Sequence, residues 1–220
     1  MALSGPRLDP KTGKAEALVV LCHGYGADGN DLIALAPILQ RALPFAAFAA
    51  PNGPQPCPGA GRQWFAITEL DPQVMHQGVL AASGELRIFV EGELRRLGLA
   101  SDRLALVGFS QGTMMALHIG FENPKPAAIV GFSGMLTGAP ASNETPVLLV
   151  HGDTDTVIPP EALFLTAATL GAYGVRVRWH LSRGLAHGID EPGIGLAGSF
   201  LSLAFAGGLR FSGESAGALG

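Results

Sequence analysis

The chain has 220 residues, 48% of them hydrophobic and only 15% charged, with a formal net charge of −4 and 31 glycines and 16 prolines breaking its apolar runs. That length fits one α/β domain, and no run reaches the ~18 unbroken apolar residues of a membrane span, so no integral membrane insertion is expected. Scattered basic residues exclude nucleic acid as an expected partner, and Met1 to Lys14 lacks the apolar stretch of a secretory leader, which leaves the cytoplasm as the expected location.

Residues 1–16 read as a lead segment, 17–206 as the domain, and 207–220, rich in Gly, Ser and Ala, as a flexible tail. Ala17 to His23 is a continuous apolar run, which suits a strand covered on both faces. Cys22 inside it reads as a buried thiol with no further role. The run enters His23-Gly24-Tyr25-Gly26-Ala27-Asp28-Gly29, and helical spacing follows at Leu32, Leu35, Ala36 and Leu39. A strand, a glycine loop and a helix in succession can turn backbone N–H groups toward a ligand. There is no Gly-Lys-Ser/Thr, so a phosphate loop is excluded.

Phe45 to Ala50 is a second short strand, closed by Pro51. From there to about Gln77 a Pro/Gly-rich loop surrounds Trp64-Phe65-Ala66-Ile67 and carries Cys57, an incidental loop thiol. A loop this long reads as a lid or pocket wall, or else as a surface loop anchored by Trp64. Val79 to Leu99 has the spacing of an amphipathic helix, stopped by Gly98.

Five apolar-dominated residues then lead into Gly108-Phe109-Ser110-Gln111-Gly112, and Met114-Met115-Ala116-Leu117 leads out. A strand turning directly into a helix strains its corner residue and crowds its neighbours, so glycines at 108 and 112 leave room where a Cβ would collide. Ser110 at that corner is the candidate nucleophile. The backbone N–H of Gln111, opening the helix, faces the place where charge would develop on a substrate oxygen. A second match, Gly131-Phe132-Ser133-Gly134, is followed by Gly138 and Pro140 where a helix would have to continue, and so fails the context.

Ala127 to Phe132 and Pro146 to Gly152 are further buried strands. Their alternation with helices predicts a mainly parallel sheet covered on both faces, with chemistry at the strand ends. Asp153 and Asp155 fall in the loop after one such end, ahead of a helix started by Pro159-Pro160-Glu161. Either could orient a histidine, and the nearer one could instead tie the turn. Val175 to Leu181 alternates like an edge strand with His180 on its polar side, and His187 lies in the short loop that follows. Histidine and cysteine spacings give no metal site.

Ser110, Asp155 and His187 stand in the chain order of the α/β-hydrolase triad. More narrowly, Leu21 to Gly29, Gly108 to Gly112, His151 to Pro159 and Ala186 to Ile189 closely resemble the phospholipase/carboxylesterase family that includes the acyl-protein thioesterases. Pro51-Asn52-Gly53-Pro54 and Arg62-Gln63-Trp64-Phe65 are similar to that family's segment after its second matched strand. The resemblance covers roughly residues 17 to 203. It implies an α/β-hydrolase fold without a large separate cap domain, Asp155 as the histidine-orienting acid, and Asp153 as a structural residue. It also implies an oxyanion hole from the backbone N–H groups of Tyr25 and Gln111, and no cofactor.

Tyr25, where leucine is commoner, and Ala66 depart from the pattern. Trp64, Phe65, Val157 and Leu185 are expected around the acyl chain of a small ester substrate. The expected activity is a serine carboxylesterase of short-to-medium acyl chains, working as a monomer or homodimer. Lysophospholipid or acyl-thioester hydrolysis is the nearer alternative, and a non-catalytic binding module or an acyl transferase is the more distant one.

Overall fold

The computed structural model describes residues 3–67, 71–122, 125–209, 211 and the strand 216–218. Strands β1 (Arg7–Leu8) and β2 (Ala17–Cys22) precede helices α1 (Gly29–Ile33) and α2 (Ala36–Leu39), and β3 (Ala46–Ala49) follows. A small antiparallel pair, β4 (Gln55–Pro56) and β5 (Arg62–Gln63), leads to the long helix α3 (Pro72–Leu97). Then come β6 (Leu104–Phe109), α4 (Gln111–Gly120), β7 (Ala128–Phe132), β8 (Val147–Gly152), α5 (Glu161–Ala172), β9 (Val177–Ser182), α6 (Glu191–Phe205) and β10 (Ala216–Ala218).

Eight strands form one sheet in the order β1-β3-β2-β6-β7-β8-β9-β10, parallel throughout except for β1 against β3. Every residue of β2 is buried, because alternate side chains serve opposite layers. Leu18, Val20 and Cys22 join the core beneath α3, α4 and α5, whereas Ala17, Val19 and Leu21 join the core beneath α1, α2 and α6. Burial on both faces is what the unbroken apolar run predicts.

Four expectations are altered. Helix α3 begins seven residues before Val79, because the Asp71 side chain caps the N–H groups of Gln73 and Val74 and Pro72 occupies the first turn. The expected loop is shortened accordingly, and its residues 68–70 lie outside the described residues. The lead segment contributes β1, whose Arg7 and Leu8 pair with Ala49 and Phe48. Strand β9 is not the sheet edge, since residues 216–218 of the expected tail pair parallel to it and occupy its open hydrogen-bonding side. The rest of the tail beyond 209, apart from 211, lies outside the described residues. Cys57 is buried with Cys22, and both are free; burial pushes the Cys22 thiol up to about 12.

Candidate active site

The turn between β6 and α4 holds Ser110 at φ 53° and ψ −117°, a conformation that L residues rarely adopt. Its flanking glycines are required by contact. A Cβ on Gly108 would lie 2.3 Å from the Gly112 carbonyl oxygen, and one on Gly112 would lie 1.9 Å from that of Cys22. Helix α4 thus sits directly on the ends of β2 and β6. The Gln111 N–H at its start has no backbone acceptor among the described residues, and neither has that of Tyr25. Gly24 brings the first loop over the serine, where an added Cβ would be 3.3 Å from the Ser110 Cβ.

The end of β8 supplies the acid. Asp155 is buried, and its Oδ1 accepts from the N–H groups of Val157 and Ile158, both at 2.9 Å. Its Oδ2 accepts from Nδ1–H of His187 at 2.8 Å. Burial alone would raise the pKa of this carboxyl. The His187 hydrogen bond, those from Ile158 and Val157, and the charge of His187 outweigh it and hold the group below its ordinary value. Asp153 takes no part in that contact, since its Oδ1 accepts from the Gly184 N–H at 2.6 Å. The His187 ring packs against Phe109, next to Ser110, with ring centroids 5.0 Å apart.

The histidine loop is strapped to its neighbours. Thr154 N–H donates to the Leu185 carbonyl at 3.0 Å, and a Cβ on Gly152 would lie 2.2 Å from that same oxygen. Ser133, the serine of the second glycine motif, is also held at positive φ (45°), and its hydroxyl donates to the Gly188 carbonyl at 3.1 Å. His151, fully buried in β8, donates from Nε2 to the Ile158 carbonyl at 2.8 Å and lies 3.3 Å from Asp155 Oδ2. Neither support was legible as such, because both partners are backbone carbonyls that only the fold brings near.

Trp64 and Phe65 are buried and join the core beneath α3 and α4. The Trp64 indole N–H donates to the His23 carbonyl at 2.9 Å. The Gln111 side chain grips the same segment, accepting from Trp64 N–H at 2.9 Å and donating to the Phe65 carbonyl at 2.8 Å. Val157 is exposed, and Leu185 is half-buried. An apolar groove of about 270 Å³ opens among Met135, Leu136, Ala162, Leu165 and Thr166, just beyond Gly134, which packs against Ser110. A second cavity of about 350 Å³, with Lys125, Glu144 and Arg176 on its walls, lies at the opposite ends of β7 and β8. Among the described residues no group of three or more metal-ligating side chains converges.

The phospholipase/carboxylesterase family model matches residues 4–205. The chain belongs to the phospholipase/carboxylesterase family. This member of a hydrolase family is 38% identical to the crystal structure of esterase PE8, with a TM-score of 0.86 over 91% of this chain and 98% of that one. It is 26% identical over 211 residues to acyl-protein thioesterase 1 of Gibberella zeae, covering 83% of this chain and 88% of that one. It is also 28% identical over 184 residues to esterase YpfH of Escherichia coli, covering 80% and 78%. The fold of this family member is therefore that of an α/β-hydrolase. Among the described residues, no helix is long and apolar enough to cross a membrane.

Proposed function

We propose that the chain is a carboxylesterase that cleaves esters of short-to-medium acyl chains through Ser110, His187 and Asp155. One observation carries this reading: a buried carboxylate bonded at 2.8 Å to a histidine that lies against the strained Ser110 turn. The histidine takes the serine proton as Ser110 Oγ attacks the ester carbonyl, and Asp155 fixes its tautomer and stabilises the imidazolium. The Tyr25 and Gln111 N–H groups stabilise the oxyanion, an effect worth about 3 kcal/mol for one donor. The alcohol leaves with the proton carried by His187, and water then hydrolyses the acyl-enzyme by the same steps in reverse roles. The groove around Met135 and Leu165 lodges the acyl chain, with Val157 and Leu185 at its approaches and buried Trp64 and Phe65 bracing the first loop.

Thioester hydrolysis is the second reading, supported by relatives named acyl-protein thioesterases. It uses the same tetrahedral chemistry with a better leaving group. Ser110→Ala is expected to lower p-nitrophenyl ester turnover by at least about a thousandfold and to abolish labelling by a fluorophosphonate. Retained turnover refutes the nucleophile. An acyl-length series on matched oxygen esters and thioesters decides between the two substrates, and added alcohol reveals transfer to an acceptor other than water.

A further inference from the structure

The chemistry just proposed leaves one buried titratable side chain beside the first loop unused. His23 ends the β2 run with no exposed surface, its ring stacked on Trp64 at 5.3 Å between centroids. Nδ1 lies 2.7 Å from the Gly24 carbonyl oxygen, and Nε2 lies 2.8 Å from the Gly53 backbone nitrogen. A backbone N–H can only donate and a carbonyl can only accept, so these two neighbours leave a single tautomer. Nε2 is bare and receives the Gly53 N–H, while Nδ1 carries the proton and gives it to the Gly24 oxygen.

That oxygen belongs to the peptide unit whose nitrogen is Tyr25. In a planar trans peptide the C=O and N–H vectors point in opposite directions. Drawing the Gly24 carbonyl toward the buried ring therefore aims the Tyr25 N–H away from it. The geometry points to His23 as a positioning residue for the oxyanion hole, acting through the Gly24–Tyr25 peptide, an inference that rests on the reading of Tyr25 N–H as an oxyanion donor. Arg62 braces the loop from the other side, its carbonyl accepting from Gly26 N–H at 2.9 Å and its N–H donating to Ala27 at 2.8 Å. The Gly24 carbonyl also accepts from Ala27 N–H at 3.3 Å, so the shorter His23 bond and this turn bond together limit rotation of the Gly24–Tyr25 peptide, while Arg62 fixes the two residues that follow it.

Three measurements test this. In the wild-type protein, long-range proton–nitrogen spectra are expected to show His23 protonated at Nδ1 and bare at Nε2; the opposite tautomer overturns the assignment. His23→Ala is expected to lower kcat on a p-nitrophenyl ester by about 10- to 100-fold, less than complete loss of a donor, with KM changed by less than about threefold. Affinity for a trifluoromethyl ketone, whose adduct places an oxyanion in the hole, falls by the same factor as kcat/KM.

His23→Asn keeps a donor near the Nδ1 position and is expected to recover most of the lost kcat. It also serves if the alanine variant does not fold. Wild-type kcat in His23→Ala, an effect on KM alone, or an asparagine variant no better than alanine each overturn the role of His23. Ser110→Ala, run alongside, separates the layers. If it loses turnover while both His23 variants keep theirs, only His23 is misassigned; if it keeps turnover, the underlying reading fails and the His23 assignment falls with it.

Discussion

At the scale of single residues, two aspartates two positions apart do different work because the chain turns between them. Asp153 binds Gly184 N–H just past the end of β9, whereas Asp155 is buried and meets His187. Under the proposed mechanism, Asp155→Asn leaves the contact in place with the wrong tautomer, and kcat is expected to fall by about ten thousandfold, as for the same change in other serine triads. Asp153→Asn is expected to keep kcat within a few-fold and to lower stability by about 1 kcal/mol. Steady-state kinetics and denaturant melts on the two variants check both. The sequence alone left this choice open, and the family resemblance favoured Asp155. Ser133 shows the reverse limit: rejecting it as a nucleophile was possible from Gly138 and Pro140, but its bond to the Gly188 carbonyl joins residues 55 apart.

At the scale of elements, the nucleophile turn depends on helix α4 touching bare strand ends. Gly112→Ala would push a Cβ into the Cys22 carbonyl, a backbone atom that cannot swing aside, and should destabilise the protein by about 3 kcal/mol. Gly92→Ala on α3 meets open space, and by raising helix propensity it should stabilise by about 0.5 to 1 kcal/mol. Opposite signs in thermal melts of the two variants test that contrast.

The long strands β2, β6, β7 and β8 were legible because burial on both faces demands continuous apolar runs. The start of α3 was also written, in Asp71-Pro72, and was hidden by the Pro/Gly-rich stretch before it. Strands β1, β4, β5 and β10 have two or three residues each, too short to show any period. The aromatics of the loop signalled packing, and Trp64 and Phe65 are buried, but the clamp of the Gln111 side chain on their backbone was not legible, because it joins residues far apart in the chain.

At the scale of the molecule, acid works against the fold from several places at once. The Glu93 carboxylate, buried on α3, binds Arg7 of β1 at 2.6 Å and Arg96 at 2.8 Å. Burial raises its pKa, but those two arginines outweigh burial and hold it below the ordinary 4.5. Asp155 is likewise held below 3.8, and burial lowers His23 below 6.5 despite the Gly24 hydrogen bond and nearby Asp28 and Asp31. Each depressed group contributes stability that is complete above its unfolded value and lost as pH falls through its folded one. The melting temperature should therefore decline first below about 6.5 and again below about 4.5. Glu93→Gln is expected to cost about 2 kcal/mol at pH 7 and to flatten the second decline, which thermal melts across pH will show.

The same connectivity makes tolerance to sequence drift uneven around the serine. At position 25 the proposed hole uses only main chain, and Tyr25 is 41% exposed, so specificity can be retuned there without disturbing the donor. At position 111 the side chain is committed to Trp64 and Phe65, so a change that leaves the amide intact still releases the loop beneath it. Diversification is thereby channelled to one of two neighbouring donors.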